Sequence, residues 1–329
     1  MKKIGIIYGG KSTENEVSCL SAKSVMDNLD KDKFEIYPIY IDKKGVWYTG
    51  NEIIENEVEY LRKLDTVFPV LHGLNGEDGT IQGMLELLEI PYVGCKVLAS
   101  AVGMDKVYSK IIFERAGLLQ AKYIYIKCMK NKYYIVDKDF SELKVTEEQI
   151  KDKVEKELKF PIFVKPSNSG SSVGITKVES KNELQKAIEN ANMYDNKILI
   201  EEGISGRELE CAVLGTDKVI ASCTGEVKAS SEFYSYDAKY NSKQSKTIIP
   251  SNIGKDIENE IQKCAIKAFK AIDGSGLSRV DFFVEHETNR IYINEINTLP
   301  GFTNISMYPK LFEASGIKYK ELLSKLIEE

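Results

Sequence analysis

Short apolar runs alternate with helical periods through the first 93 residues, and this alternation limits the fold more than any other feature of the chain. Residues 3–8, 34–41, 66–71 and 91–93 read as strands, with helices over about 17–28 and 81–89. Strand–helix alternation of this kind predicts an α/β unit with a largely parallel sheet. Ligand loops in such a unit belong at the carboxyl ends of the strands, where Gly9–Glu14 and His72–Gly79 both fall. The pattern changes around residues 94–101. A helix is expected over 104–116, stopped by Gly117, then a strand at 123–126 and a lysine-rich segment. A helix at 147–158, a strand at 161–164, a helix at 181–191 and a strand at 197–200 complete an α+β module. Longer strands follow at 208–214 and 218–226, then a polar stretch, 230–247, read as a long functional loop. Residues 257–272 carry apolar side chains at three- and four-residue steps, as an amphipathic helix does, and a last helix is expected over 319–327. With ~100–200 residues per domain, the chain divides into three parts: 1–96, 97–202 and 203–329.

Composition excludes several function classes. A net charge of −5 over 329 residues offers no basic stripe for a nucleic acid. No apolar stretch approaches the ~20 residues needed to span a bilayer, and the apolar run after Met1-Lys2-Lys3 is too short for a signal-peptide core. Six cysteines lie scattered without a CxxC pair, which favours free thiols and a reducing compartment, the cytoplasm. Only His72 and His286 are present, so a site with three or more histidine ligands is excluded.

The most chemically loaded stretch is 279–301, RVDFFVEHETNRIYINEINTLPG. It reads as two strands around a polar turn near Thr288. A turn symmetric about that position sets Asp281 opposite Glu295 and Arg279 opposite Asn297. Side chains alternate faces with period two, so all four share a face. Two carboxylates and an amide oxygen suit Mg²⁺, which binds one or two carboxylates and substrate phosphates. A hairpin with a solvated charged face is the plainer alternative.

Other motifs are weaker when taken singly. Gly5–Ser12 satisfies GxxxxGK[ST], but Gly5, Ile6, Ile7 and Tyr8 have the character of the strand itself. Only Gly9-Gly10 is then left to wrap a phosphate, too little for a P-loop. Lys165 ends an apolar strand and opens the Gly/Ser-rich segment KPSNSGSSVG, a composition suited to closing over phosphate oxygens. Lys106, near a helix start, and Lys239, in the polar stretch, read alone as surface lysines. Glu201-Glu202-Gly203-Ile204 ends a strand and could offer backbone groups to an adenine edge, with Glu208 available to ribose hydroxyls, a weak signal by itself. His72 read alone is a satisfied structural histidine, and the aromatics of 232–240 read as packing residues.

Together, GGKSTENEVS (9–18), HGLNGEDGTIQG (72–83), ASAVGMDKVYSK (99–110), VKPSNSGSSVGI (164–175), EFYSYDAKY (232–240), GLSRVDFF (276–283) and NEINTLPGFTNISMYPKL (294–311) resemble the D-alanine–D-alanine ligases of the ATP-grasp enzymes. The resemblance runs nearly end to end and in the family's order. It implies an ATP-grasp fold: an N-terminal Rossmann-like α/β domain followed by central and C-terminal ATP-grasp domains. It implies ATP as a substrate and two Mg²⁺ (or Mn²⁺) held by Asp281, Glu295 and Asn297. Lys106 and Lys165 would meet the α- and β-phosphates and Lys239 the γ-phosphate. Glu201, Glu202, Ile204 and Glu208 would hold adenosine. Glu14, near His72, would pair with the ammonium of the first D-alanine. Arg279 and the Gly301 amide would face the oxyanion, and Ser306 with the Met307 amide the second carboxylate. Glu14, Ser171 and Tyr240 resemble the family's hydrogen-bonded triad, which makes the polar stretch a lid. Relatives that form D-alanyl-D-lactate carry a histidine in this loop, whereas the tyrosine form, here Tyr240, goes with D-alanine; D-serine as acceptor stays open. Glu202 stands where relatives often carry lysine, a departure softened by a contact that runs through the backbone. The family's habit adds a homodimer and a role in peptidoglycan precursor synthesis.

Overall fold

The computed structural model describes residues 1–130, 132–228 and 246–329. In chain order, the first part comprises β1 (Lys2–Gly9), α1 (Asn15–Asn28), β2 (Phe34–Ile41), β3 (Trp47–Thr49), β4 (Glu52–Ile53), α2 (Glu57–Leu61), β5 (Thr66–Val70) and α3 (Thr80–Leu87). Its sheet has the order β4-β3-β2-β1-β5. The β1, β2 and β5 strands run parallel, as the alternation predicts. Ile4, Ile6 and Ile7 of β1 are fully buried, the mark of a strand covered on both faces. Gly5–Tyr8 are paired residue by residue with β2 and β5, so they are strand and the P-loop reading fails. At Gly9 the backbone turns at φ +91°, and a Cβ there would stand 2.2 Å from the Ile41 carbonyl oxygen.

The second part begins with α4 (Val97–Met104) and α5 (Lys106–Arg115). A six-stranded antiparallel sheet of order β10-β9-β11-β6-β7-β8 follows. It is built from β6 (Tyr123–Met129), β7 (Lys132–Val136), β8 (Glu142–Val145), β9 (Ile162–Pro166), β10 (Thr176–Val178) and β11 (Lys197–Glu202), with α6 (Glu147–Glu157) and α7 (Leu184–Asn192) packed against it. The third part contains β12 (Gly206–Leu214), β13 (Ile220–Lys228), β14 (Lys246–Ile248), α8 (Lys255–Ala271), β15 (Leu277–Glu285), β16 (Ile291–Asn297), α9 (Met307–Ala314) and α10 (Tyr319–Glu328). Its antiparallel sheet has the order β14-β13-β12-β15-β16.

Several expectations are corrected. The helix expected over 104–116 is present as α5 and starts two residues later, at Lys106: Asp105 has an extended backbone, and its carboxylate caps α5 by accepting from the Val107 and Tyr108 amides; aspartate is a preferred N-cap. Residues 91–93 make a parallel bridge from Tyr92 to Val67 rather than a strand. The lysine-rich segment holds β7 and β8, because Ile135, Val136 and Val145 are buried between its charges. Lys246 and Thr247, expected in the polar loop, belong to β14. The β3, β4 and β10 strands and the α2, α4 and α9 helices have no counterpart among the expected elements. In α9, Pro309 disguises a helix, yet it lies in the first turn, where a missing N–H is harmless.

The hairpin pairs as expected where it matters: Arg279 with Asn297 and Asp281 with Glu295. Phe282 then pairs with Ile293, so Asn294 is an extra residue in a bulge. Residues beyond it are shifted by one from the symmetric register.

The α9 and α10 helices pack between the first and third sheets, where Phe68, Phe302, Tyr308, Leu311, Phe312 and Leu322 form one buried cluster. Phe302 meets Phe68 edge-on at 5.3 Å and Tyr308 at 5.4 Å between ring centroids. Truncation of Phe302 to alanine is expected to cost about 3–5 kcal/mol, measured by urea unfolding. A loss under about 1 kcal/mol would show that this cluster does not hold the parts together.

Candidate active site

The carboxyl ends of the first sheet, the inner face of the second and the β12–β15–β16 face of the third surround a cavity of about 920 Å³. Every candidate residue among the described ones lines it, whereas Lys11 does not. Lys239 and Tyr240 lie outside the described residues.

On the third sheet, strand pairing sets Glu210 opposite Asp281 and Asp281 opposite Glu295. Like charges directly opposite one another destabilise a sheet. Arg279, two residues along β15 on the same face, offsets them. Its Nε donates to Asp281 Oδ1 at 2.7 Å and its Nη2 to Asp281 Oδ2 at 2.6 Å, and Nε lies 3.0 Å from Glu210 Oε2. Burial opposes the charge on Arg279, but Asp281 and Glu210 outweigh it and raise the guanidinium well above its ordinary value. Asn297 Nδ2 donates to Asp281 Oδ2 at 3.1 Å. Lys106 Nζ lies 3.9 Å from Glu295 Oε2 and donates to the Ser169 carbonyl at 2.6 Å. Glu210 was missed from the sequence, although it shares a strand face with Glu208 two residues away.

Among the described residues no trio of His, Cys, Asp and Glu side chains forms a metal cage. The donors of Asp281, Glu295 and Asn297 are two carboxylates and one amide, an all-oxygen set. Such a set fits a hard cation that keeps waters and phosphate oxygens in its remaining positions, as Mg²⁺ does, and does not fit a softer metal.

On the second sheet, Lys165 Nζ donates to Glu201 Oε2 at 2.6 Å, and Lys110 pairs with Glu201 Oε1. Burial pushes the Glu201 carboxyl up, but Lys110 and Lys165 reverse this and hold it down to about 2. Since that lies below the ordinary 4.5, the stabilisation from ionised Glu201 is complete above the carboxylate range and fades as pH falls toward 2. Glu201 lines the cavity, and because its carboxylate pairs with two lysines the adenosine contact expected there falls to its backbone. Lys110 was not anticipated, although it follows Lys106 by one helical turn. Glu202 Oε1 accepts from the Lys159 amide at 2.9 Å, while Ile204 and Glu208 face the cavity.

On the first sheet, Glu14 is buried and accepts from Ser171 Oγ, which joins the α1 entry to the Gly/Ser-rich loop. Ser171 and Ser172 hold φ of +50° and +60°, sparsely populated for such residues and characteristic of functional loops. His72 Nε2 lies 2.9 Å from Ser21 Oγ, and Nδ1 lies 3.8 Å from Glu77 Oε1. The Phe302 amide donates to the same Ser21 oxygen at 3.2 Å. His72 is thus satisfied structurally and also faces the cavity. A Cβ on Gly301 would stand 2.8 Å from Ser306 Oγ, so only glycine brings that backbone so near. Ser306 precedes α9 and accepts from the Thr303 amide at 3.0 Å, and Met307 opens the helix.

Comparison with known proteins agrees with this arrangement. The family model described as D-ala D-ala ligase C-terminus matches residues 112–328, and that described as D-ala D-ala ligase N-terminus matches residues 3–59 and 52–95. A D-alanine–D-alanine ligase of Acetivibrio thermocellus is 49% identical, covering 99% of this chain and 95% of the relative. That of Clostridium novyi is 45% identical, covering 99% and 97%. Among solved structures, the VanG D-Ala:D-Ser ligase of Enterococcus faecalis superposes with a TM-score of 0.86 at 38% identity, over 99% of this chain and 98% of that one. The D-alanine–D-alanine ligase of Coxiella burnetii gives 0.83 at 34% identity, over 99% and 93%. With family models spanning nearly its whole length and these relatives covering all but a few residues, the chain belongs to the D-alanine–D-alanine ligase family of ATP-grasp enzymes.

Proposed function

We propose that the protein joins two D-alanines into D-alanyl-D-alanine at the expense of ATP, supplying a peptidoglycan precursor in the cytoplasm. The observation that carries this reading is one cavity lined by the carboxylate row, the lysines Lys106 and Lys165, and the Glu14–Ser171 pair. A carboxylate oxygen of the first D-alanine attacks the γ-phosphorus, ADP leaves, and an acyl phosphate forms. The amine of the second D-alanine then attacks the acyl carbon. The tetrahedral centre collapses with loss of phosphate, and the amine proton departs as the amide forms. Phosphoryl transfer of this kind depends on positioning and charge neutralisation.

The residues divide this work. Glu14, held by Ser171 and beside His72, takes the ammonium of the first substrate. Lys106 and Lys165 meet the α- and β-phosphates and Lys239 the γ-phosphate, while Glu201, Glu202, Ile204 and Glu208 seat adenosine. Asp281, Glu295 and Asn297 would hold two Mg²⁺, which when bound neutralise charge on the phosphates. Arg279 and the Gly301 amide face the oxyanion, an arrangement in which one donor is worth ~2.7–4 kcal/mol. Ser306 and the Met307 amide receive the second carboxylate; the α9 N-terminus favours an anion there. Tyr240 completes the triad with Glu14 and Ser171, and the polar stretch serves as a lid that keeps water from the acyl phosphate. The parts 1–96, 97–202 and 203–329 each supply one wall, and the working unit is a homodimer.

The likeness to a D-Ala:D-Ser ligase keeps a second reading, with D-serine as acceptor. Competition between D-serine and D-alanine separates the two; preferential D-alanyl-D-serine formation would replace the first reading. Tyr240→His is expected to raise D-lactate incorporation, scored by chromatography of the depsipeptide product, and an unchanged acceptor profile would remove Tyr240 from acceptor selection. For Glu295→Gln, phosphate release with ATP, Mg²⁺ and D-alanine should fall by about two to three orders of magnitude, the scale of several kcal/mol of lost charge stabilisation. Its melting temperature should stay within about 4 °C of wild type. Near-wild-type turnover would contradict the metal assignment.

A further inference from the structure

Among the described residues Lys110 is a lysine as buried as the core aromatics, at 2% exposure. It is not among the residues that line the cavity, whereas Glu201 and Lys165 are, so its link to the site runs through Glu201. Its ammonium pairs with Glu201 Oε1 and stands 5.5 Å from the Tyr123 ring centre. The other oxygen of the same carboxylate carries Lys165. Two ammonium groups therefore divide one buried carboxylate, and burial together with Lys165 disfavours the charge on Lys110. A single lysine would have neutralised Glu201, so the second needs a reason.

The geometry points to Lys110 as a positioning residue that keeps Glu201 paired while Lys165 turns from Glu201 to the nucleotide phosphates. This rests on the reading of Lys165 as a phosphate ligand. In the structure Lys165 is engaged with Glu201 at 2.6 Å. Were Glu201 to lose its sole partner, a buried carboxylate would be left uncompensated, an expensive state. Lys110 approaches from the protein side, on α5, and remains on Oε1 whichever way Lys165 points. Lys165 is then free to exchange one anion for another, and the charge balance of the interior is preserved in both states. Lys106 and Lys110 sit one turn apart on α5, so the same helix presents one lysine to the cavity and the other to Glu201.

The test compares Lys110→Met and Lys110→Arg with wild type, using calorimetric titration of Mg²⁺ and a non-hydrolysable ATP analogue alongside steady-state kinetics. With methionine, Lys165 becomes the last partner of Glu201. Analogue affinity should fall about 10–100-fold and KM for ATP should rise in step, with KM for D-alanine unchanged. Arginine should restore most of the affinity. If Lys110→Met does not fold, the double variant Lys110→Met, Glu201→Gln removes both buried charges, and because no carboxylate is left to hold Lys165 it should bind the analogue as tightly as Glu201→Gln with Lys110 retained. Unchanged analogue affinity in Lys110→Met, equal rises in KM for ATP and D-alanine, or a double variant that binds about 10-fold or more weakly than Glu201→Gln would each overturn the inference. Failure of wild type itself to bind the analogue would instead overturn the reading of the site as a nucleotide site.

Discussion

The structure of the site depends on Arg279 holding together a row of carboxylates that would otherwise repel. Glu210, Asp281 and Glu295 stand side by side on β12, β15 and β16, a placement that a sheet without a compensating cation would resist. Arg279 reaches two of the three, and its planar fork suits the paired contact with Asp281 better than a lysine would. The bulge at Asn294 lies between this row and the far end of the hairpin. It lets Ile293 and Phe282 enter the core while Glu295 and Asn297 face the cavity.

The second sheet solves a similar problem with signs reversed. There a single carboxylate, Glu201, gathers two lysines. Asp105 caps α5, accepts from Ser167 and pairs with Lys197, so the helix that carries Lys106 and Lys110 is tied to the start of the phosphate-loop candidate. The cavity therefore has an acidic wall and a basic wall. A polyanion accompanied by hard cations matches both, and neither a neutral ligand nor a bare cation would. The first sheet adds Glu14, reached by Ser171 across the cavity, so the loop that starts at Lys165 touches the wall opposite its own.

Much of this was legible in the sequence, for reasons that differ by residue. The parallel β1 and β5 strands announce themselves because they are short apolar runs buried on both faces, whereas the half-buried β2 shows through its isoleucines and aromatics. The pairing of Arg279 with Asn297 was recoverable from period-two alternation and a symmetric turn, which holds up to the bulge. A bulge leaves no mark in composition, so the shift beyond Asn294 was not readable. Lys110 and Glu210 escaped because each looks like a surface charge until the chain is folded; only their spacing from Lys106 and Glu208 hinted at a shared face. The α4 helix was not readable because its eight residues, Val97–Met104, are too few to show a periodic face. The roles assigned to Glu14, Ser306 and the rest came from resemblance to a family, and folding brings those residues into one cavity although they lie up to 293 positions apart, Glu14 to Met307.

The central claim is that the two walls serve transfer of a phosphoryl group to a carboxylate. It is tested most directly by following oxygen. D-alanine labelled with oxygen-18 in its carboxylate is incubated with the protein, ATP and Mg²⁺, and the released phosphate is analysed by mass spectrometry. An acyl phosphate requires one labelled carboxylate oxygen to leave with each phosphate. Unlabelled phosphate accompanying dipeptide formation would contradict the account.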